Sequence, residues 1–238
     1  MKGKHLKLCM AVSIIIVALG VFFHISDGTF YVWNESDDST KKTTIVIDPG
    51  HGGYDPGKVG INGTLEKDIN LAISLQLKKS LSDFGYNVVM TRETDISLCS
   101  ENDSNKKIAD MQKRIEIIEK ADPLCVISIH QNSFPDSSVS GSQVFYYGKA
   151  NDSNPSTSKD IAVSVQASLK DIQNPDNHRQ AAANTSYYLL KKTSHPTIIA
   201  ECGFLSNITE ESLLNNPSYQ EKTADAICAG IKEYIDTH

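Results

Sequence analysis

The sequence predicts an α/β fold: a mostly parallel, twisted sheet with helices on both faces, in one domain over residues 43–238. Three observations carry this expectation. Strand-like runs alternate with segments of helical period from Thr44 almost to the C terminus, the pattern that builds parallel sheets covered on both sides. The runs Leu124–Ile129 and Thr197–Ala200 are short and mostly apolar, as buried strands are. With 238 residues, 39% hydrophobic and 22% charged, the chain can fill one core, and it shows no internal repeat.

The elements follow in order. Lys2, Lys4, His5 and Lys7 precede a sixteen-residue apolar run, Leu8–Phe23. A bilayer span takes roughly 17–25 residues, and adding Ile25 brings the run to that lower edge. Residues 1–25 therefore read as an N-terminal signal-anchor or signal peptide that exports the rest, with the lysines kept inside. No A-x-A cleavage pattern follows, which favours an uncleaved anchor, and residues 26–42 form a polar tether.

Thr44–Asp48 is a β-branched strand that stops at Pro49 and Gly50. Leu65, Ile69, Ala72, Ile73, Leu77, Leu81 and Phe84 recur at helical spacing, and Gly85 ends that helix. Tyr86–Thr91 is the next strand, and Ser100–Asn105 a loop. Ile108, Met111, Ile115 and Ile118 form a second helical stripe before Leu124–Ile129. Ser142–Tyr147 reads as a strand, Asp152–Ser158 as a loop and Ile161–Ile172 as a weaker helix. The last strand, Thr197–Ala200, precedes a closing helix, Tyr219–Ile235.

A formal charge of −6 argues against nucleic acid as a partner, because phosphate backbones are held by basic surfaces. Five cysteines without CxxC spacing give neither a disulfide framework nor a zinc ribbon. The chemistry collects at strand ends. His51 follows the first strand, His130 the strand Leu124–Ile129 and Glu201 the strand Thr197–Ala200, while Glu66 opens the helix after the His51 loop. Ligands of open α/β sheets bind beyond the carboxyl ends of strands. Two imidazoles and a carboxylate make a three-ligand zinc site with the fourth position free for water. Glu201 then remains as the proton-transfer group. Each residue also has an ordinary structural reading. A strand-end histidine is commonly hydrogen-bonded, Glu66 suits a helix first turn, and Asp48 is either a histidine's partner or a turn residue. Before any family likeness the two accounts stand level.

Two rival motifs are weaker. Gly52-x-x-x-x-Gly57-Lys58 copies most of a phosphate-binding P-loop, but Val59 stands where Ser or Thr must hold Mg²⁺. Cys202 with His195 lacks an orienting third group for nucleophilic catalysis.

The segments TIVIDPGHGG (Thr44–Gly53), LEKDIN (Leu65–Asn70), ISIHQN (Ile127–Asn132) and ECGFLSN (Glu201–Asn207) together resemble the zinc-dependent N-acetylmuramoyl-L-alanine amidases, over nearly all of residues 43–238. The resemblance implies a six-stranded sheet, Zn²⁺ held by His51, Glu66 and His130, a catalytic Glu201, and cleavage between muramic acid and L-alanine in peptidoglycan. It also points to Arg92, Arg114 and Arg179 as arginines common in the family, with Arg179 as the candidate for substrate binding or site support. Within the family the chain looks most like the germination-specific, spore-cortex branch, whose action leads to muramic-δ-lactam. A vegetative autolysin and a catalytically inactive wall-binding protein are the alternatives. The acidic domain has no recognisable wall-binding repeat, so an extracytoplasmic activator or targeting protein is expected. The five glycines of Gly52–Gly63 suggest a loop that stays mobile until something orders it.

Overall fold

The computed structural model describes residues 42–148, 155–173 and 176–238. The apolar run Leu8–Phe23 and the tether up to residue 41 lie outside them. Among the described residues no helix is long and apolar enough to cross a membrane.

Six strands form one sheet: β1 (Thr44–Pro49), β2 (Asn87–Met90), β3 (Cys125–Asn132), β4 (Gln143–Tyr146), β5 (Ala182–Ala183) and β6 (Thr197–Phe204). Their spatial order is β2-β1-β3-β6-β4-β5. All neighbours run parallel except β4 against β6, which is antiparallel. The helices are α1 (Glu66–Asp83), α2 (Lys106–Ala121), α3 (Pro155–Ser168, ending in a π-turn at Leu169–Gln173), α4 (Tyr188–Lys192), α5 (Ile208–Leu214) and α6 (Pro217–Thr237).

The core is divided by the period-2 alternation of the central strands. On β1, Ile45 and Ile47 face a large cluster with Ile69, Ile73 and Leu77 of α1 and Ile227 and Ile231 of α6. Val46 faces the other way, against Val126, Ile118 of α2 and Leu189 of α4. A continuous apolar run with both faces covered is what a parallel sheet requires.

Connectivity places the site. From β1 the chain goes to β2 on one side, while β3 pairs on the other. The strand order therefore reverses between β1 and β3, and the crevice at such a switch point is where open α/β sheets bind ligands. In register, His130 on β3 stands beside Glu201 on β6, and the pairing slips between His130 and Asn132. A bulge there ends regular pairing and re-aims side chains beside the crevice.

Candidate metal centre

The turn after β1 delivers His51, and it is held by side chains from two other segments. His51 itself has a left-handed backbone, with φ of 60°, a conformation that costs a non-glycine residue about 1–3 kcal/mol unless its surroundings enforce it. Arg114 of α2, 2% exposed, supplies that enforcement. Its guanidinium donates to His51 O (2.6 Å), Pro49 O (2.8 Å), Asp48 Oδ1 (2.7 Å) and Asp110 Oδ2 (2.7 Å). Arg92 donates to Pro49 O (3.0 Å), Gly50 O (2.9 Å) and Lys67 O (2.9 Å), tying the same turn to α1.

Asp48 is neither a turn residue nor a histidine's partner. Buried beneath the turn, it accepts from Arg114, Thr91 and Ser128. Burial opposes its charge, but the Arg114 guanidinium and the hydroxyl donors outweigh burial and bring the carboxyl down to about 2. The partner of His51 is Asp55, whose Oδ2 lies 2.9 Å from Nδ1.

The three expected ligands converge. His51 Nε2 lies 3.2 Å from Glu66 Oε2, and His130 Nδ1 lies 2.9 Å from Glu66 Oε1. One ligand atom from each residue falls within 4.8 Å of the others. Glu66, 2% exposed, also accepts from the backbone N–H groups of Lys58 (2.7 Å) and Gln131 (3.1 Å). Burial works against its charge; hydrogen bonds and charge from His130 and His51 prevail and hold the carboxyl well below its ordinary range.

Glu201 stands next to this group without joining it. It is 7% exposed, and its Oε2 is buried with no hydrogen-bond partner among the described residues. Burial, with the Glu66 charge adding to it, raises the carboxyl to about 7. Tyr187 of the segment before α4 donates from its hydroxyl to Glu201 Oε1 at 3.4 Å. Burial and the Glu201 charge in turn push that phenol up to about 12.

The donor set suits a metal ion. Two imidazoles and a carboxylate, with no thiolate, are ligands for a borderline metal at a catalytic centre. A carboxylate at His51 Nδ1 is the usual orienting partner of a ligating imidazole. Room for the cluster depends on Gly57 (φ 69°): a Cβ there would lie 2.5 Å from Glu66 Oε2.

The segment between His51 and Glu66 is tied down rather than loose. Glu211 of α5, with no exposed surface, accepts from Asn62 N (2.9 Å), Asn62 Nδ2 (3.0 Å) and Thr64 N (3.4 Å). A Cβ at Gly60 would sit 2.2 Å from Glu211 Oε1. Close approach of backbone to carboxylate accounts for a glycine that otherwise suggests mobility. Arg179 does not line the 400 Å³ cleft that holds the other four residues. It donates to Ser140 O (2.9 Å) and Gln143 Oε1 (3.1 Å) and lies over the Phe204 ring.

Fold and site together define a class: an α/β protein with a candidate metal centre at its switch point and a buried carboxylate of raised pKa beside it, as in metal-dependent hydrolases. The profile of the N-acetylmuramoyl-L-alanine amidases matches residues 45–233. The germination-specific N-acetylmuramoyl-L-alanine amidase of Bacillus subtilis is 37% identical over 195 residues, covering 80% of this chain and 79% of its own length. A solved structure of the CwlD amidase from Clostridioides difficile, in complex with the GerS lipoprotein, superposes with a TM-score of 0.78 at 39% identity, covering 83% of this chain and all of that one. AmiC2 of Nostoc punctiforme superposes at 0.69 with 31% identity, covering 82% and 97%. The chain belongs to the N-acetylmuramoyl-L-alanine amidase family, enzymes that act on peptidoglycan.

Proposed function

We propose that this chain hydrolyses the amide between the lactyl group of N-acetylmuramic acid and L-alanine, with one zinc ion held by His51, Glu66 and His130 and with Glu201 moving the proton. The observation that carries the reading is the convergence of those three side chains beside a buried carboxylate whose second oxygen has no partner. Zinc bound there supplies a Lewis acid that polarises the scissile carbonyl and acidifies water.

The chain's own groups do the rest. Asp55 orients His51, and the His51–Glu66–His130 contacts hold the ligand atoms together. Glu201, with a proton affinity near neutrality, takes a proton from attacking water and returns it to the departing alanine nitrogen. Tyr187 fixes one oxygen of Glu201 and leaves the other for that transfer. In this reading Arg179 is a support residue acting through Gln143, which pairs in register with Glu201.

Likeness to a germination-specific amidase supports action on spore-cortex peptidoglycan, upstream of muramic-δ-lactam formation. Residues 1–25 serve as the export signal or anchor, and 26–42 as the tether, placing the enzyme outside the cytoplasmic membrane. The GerS lipoprotein in the solved relative supports an extracytoplasmic partner for this chain as well. The test is release of peptides with amino-terminal L-alanine from purified cortex peptidoglycan. Release that stops with chelator and returns with zinc is expected. Cleavage at any other bond, or release indifferent to chelator, overturns the reading.

A further inference from the structure

One turn after Glu66 on α1 stands Asn70, with no exposed surface. Asparagine is a poor residue for a helix interior, and burying its amide is costly unless the amide's donors and acceptor are used. Here they are used in full. Asn70 Nδ2 donates to Gly50 O (3.2 Å) and Glu66 Oε1 (3.3 Å), and Oδ1 accepts from Gln131 Nε2 (3.2 Å). A carbonyl and a carboxylate can only accept, so the amide is fixed with its NH₂ toward them and its oxygen toward Gln131.

These bonds reach all three expected ligands. Glu66 is held directly. Gly50 precedes His51, and its backbone lies against the His130 ring, where a Cβ would fall 2.3 Å from Nε2. Gln131 follows His130 on β3, and its backbone N–H joins Asn70 on Glu66 Oε1 (3.1 Å). Successive strand residues face opposite ways, yet at the register slip between His130 and Asn132 the side chains of both His130 and Gln131 reach α1. Two N–H donors on Oε1 fix the rotation of the Glu66 carboxylate, and Oε2 faces His51 Nε2 at 3.2 Å.

We propose that Asn70 is a positioning residue of the metal centre: its amide, oriented by Gln131, ties the Glu66 carboxylate to the turn that carries His51 and packs against His130. The inference rests on the zinc reading proposed above. It goes beyond that reading by assigning part of the affinity for the ion to a residue that does not touch it, as the partners of metal ligands do elsewhere.

The experiment measures zinc affinity by competition with a chromophoric chelator, beside the unfolding midpoint of the metal-free chain by circular dichroism. Asn70→Leu, apolar and similar in size, should weaken zinc binding by about 10–100-fold. Gln131→Leu keeps its backbone N–H and should weaken binding by a smaller factor. The double variant should bind zinc as Asn70→Leu does, because Gln131 acts through Asn70 and the two losses do not add. Ile73→Ala, a core change on the same helix, should lower the midpoint and leave the zinc affinity of the folded chain unchanged, which separates positioning from stability. Unaltered affinity in Asn70→Leu, an equal loss of affinity in Ile73→Ala, or losses that add in the double variant would overturn the role. Gln131→Leu tests the same amide with α1 intact should Asn70→Leu fail to fold, and unchanged affinity there overturns the role as well. Failure of the unaltered chain to bind zinc overturns the zinc reading and this inference with it.

Discussion

Replacing Arg114 with methionine removes a guanidinium that satisfies two carboxylates and two backbone carbonyls, and it leaves Asp48 buried with only hydroxyl donors. Breaking one side of a buried ion pair costs about 3–5 kcal/mol. In a domain of this size each kcal/mol moves the midpoint by about 2–4 °C, so Tm should fall by about 6–20 °C. The dependence on pH separates this cause from simple loss of packing. In the unaltered protein Asp48 sits near 2, below its ordinary 3.8. Its contribution, about 2 kcal/mol, is therefore complete above pH 3.8 and lost as pH falls through about 2. In Arg114→Met burial acts with little opposition, the folded pKa rises above the unfolded one, and the carboxylate destabilises the fold at neutral pH. The deficit relative to the unaltered protein should then shrink as pH falls from 7 toward 4. Urea unfolding followed by circular dichroism at several pH values measures it, and Asp48→Asn added to Arg114→Met should recover part of the loss. A deficit under about 1 kcal/mol at pH 7, or one that widens with acid, would refute the reasoning.

Glu201→Gln should lower peptide release by about 10²–10⁴-fold with unfolding midpoint and metal content kept; loss of the metal as well would exchange its role with Glu66. Gly60→Ala drives a methyl against Glu211 and should destabilise the fold by about 1–3 kcal/mol and weaken metal affinity, read by competition with a chromophoric chelator. Glu211→Ala frees Asn62 and Thr64 and should expose residues 58–64 to proteolysis, whereas unchanged cleavage rates would show that the clasp is not what orders the loop.

Much of this site is legible in the sequence because its residues follow strong local patterns. β-branched and apolar runs mark the strand that leads to His51 and the strand that carries His130, and the 3.6-residue period from Leu65 to Phe84 marks the helix opened by Glu66. Six strands and a mostly parallel sheet agree with the resemblance. What escaped is structure set by distant contacts. The two-residue β5 and the short helices α4 and α5 carry too few periodic residues to register. Arg114 lies three residues after Met111 and four before Ile118, on the apolar stripe of α2; an arginine on such a stripe is the signal of a buried guanidinium. Asn207 followed by Glu210 has the spacing of a capping box. Asn207 does cap α5, but Glu210 accepts from Gly141 N and Phe204 N instead, a use that only the tertiary fold defines. The glycines of the His51–Glu66 segment suggest freedom in the sequence, whereas at Gly57 and Gly60 they serve close packing.

Three ligands and a separate proton-transfer group are distinguished most directly by zinc per chain, measured by elemental analysis after dialysis against buffered zinc. The unaltered protein and Glu201→Gln should each hold one zinc, and His51→Ala, Glu66→Ala and His130→Ala should each lose it at the same free zinc concentration, as expected where three side chains complete the site. Full zinc retained in any of the three ligand variants, or zinc lost from Glu201→Gln alone, would contradict the assignment.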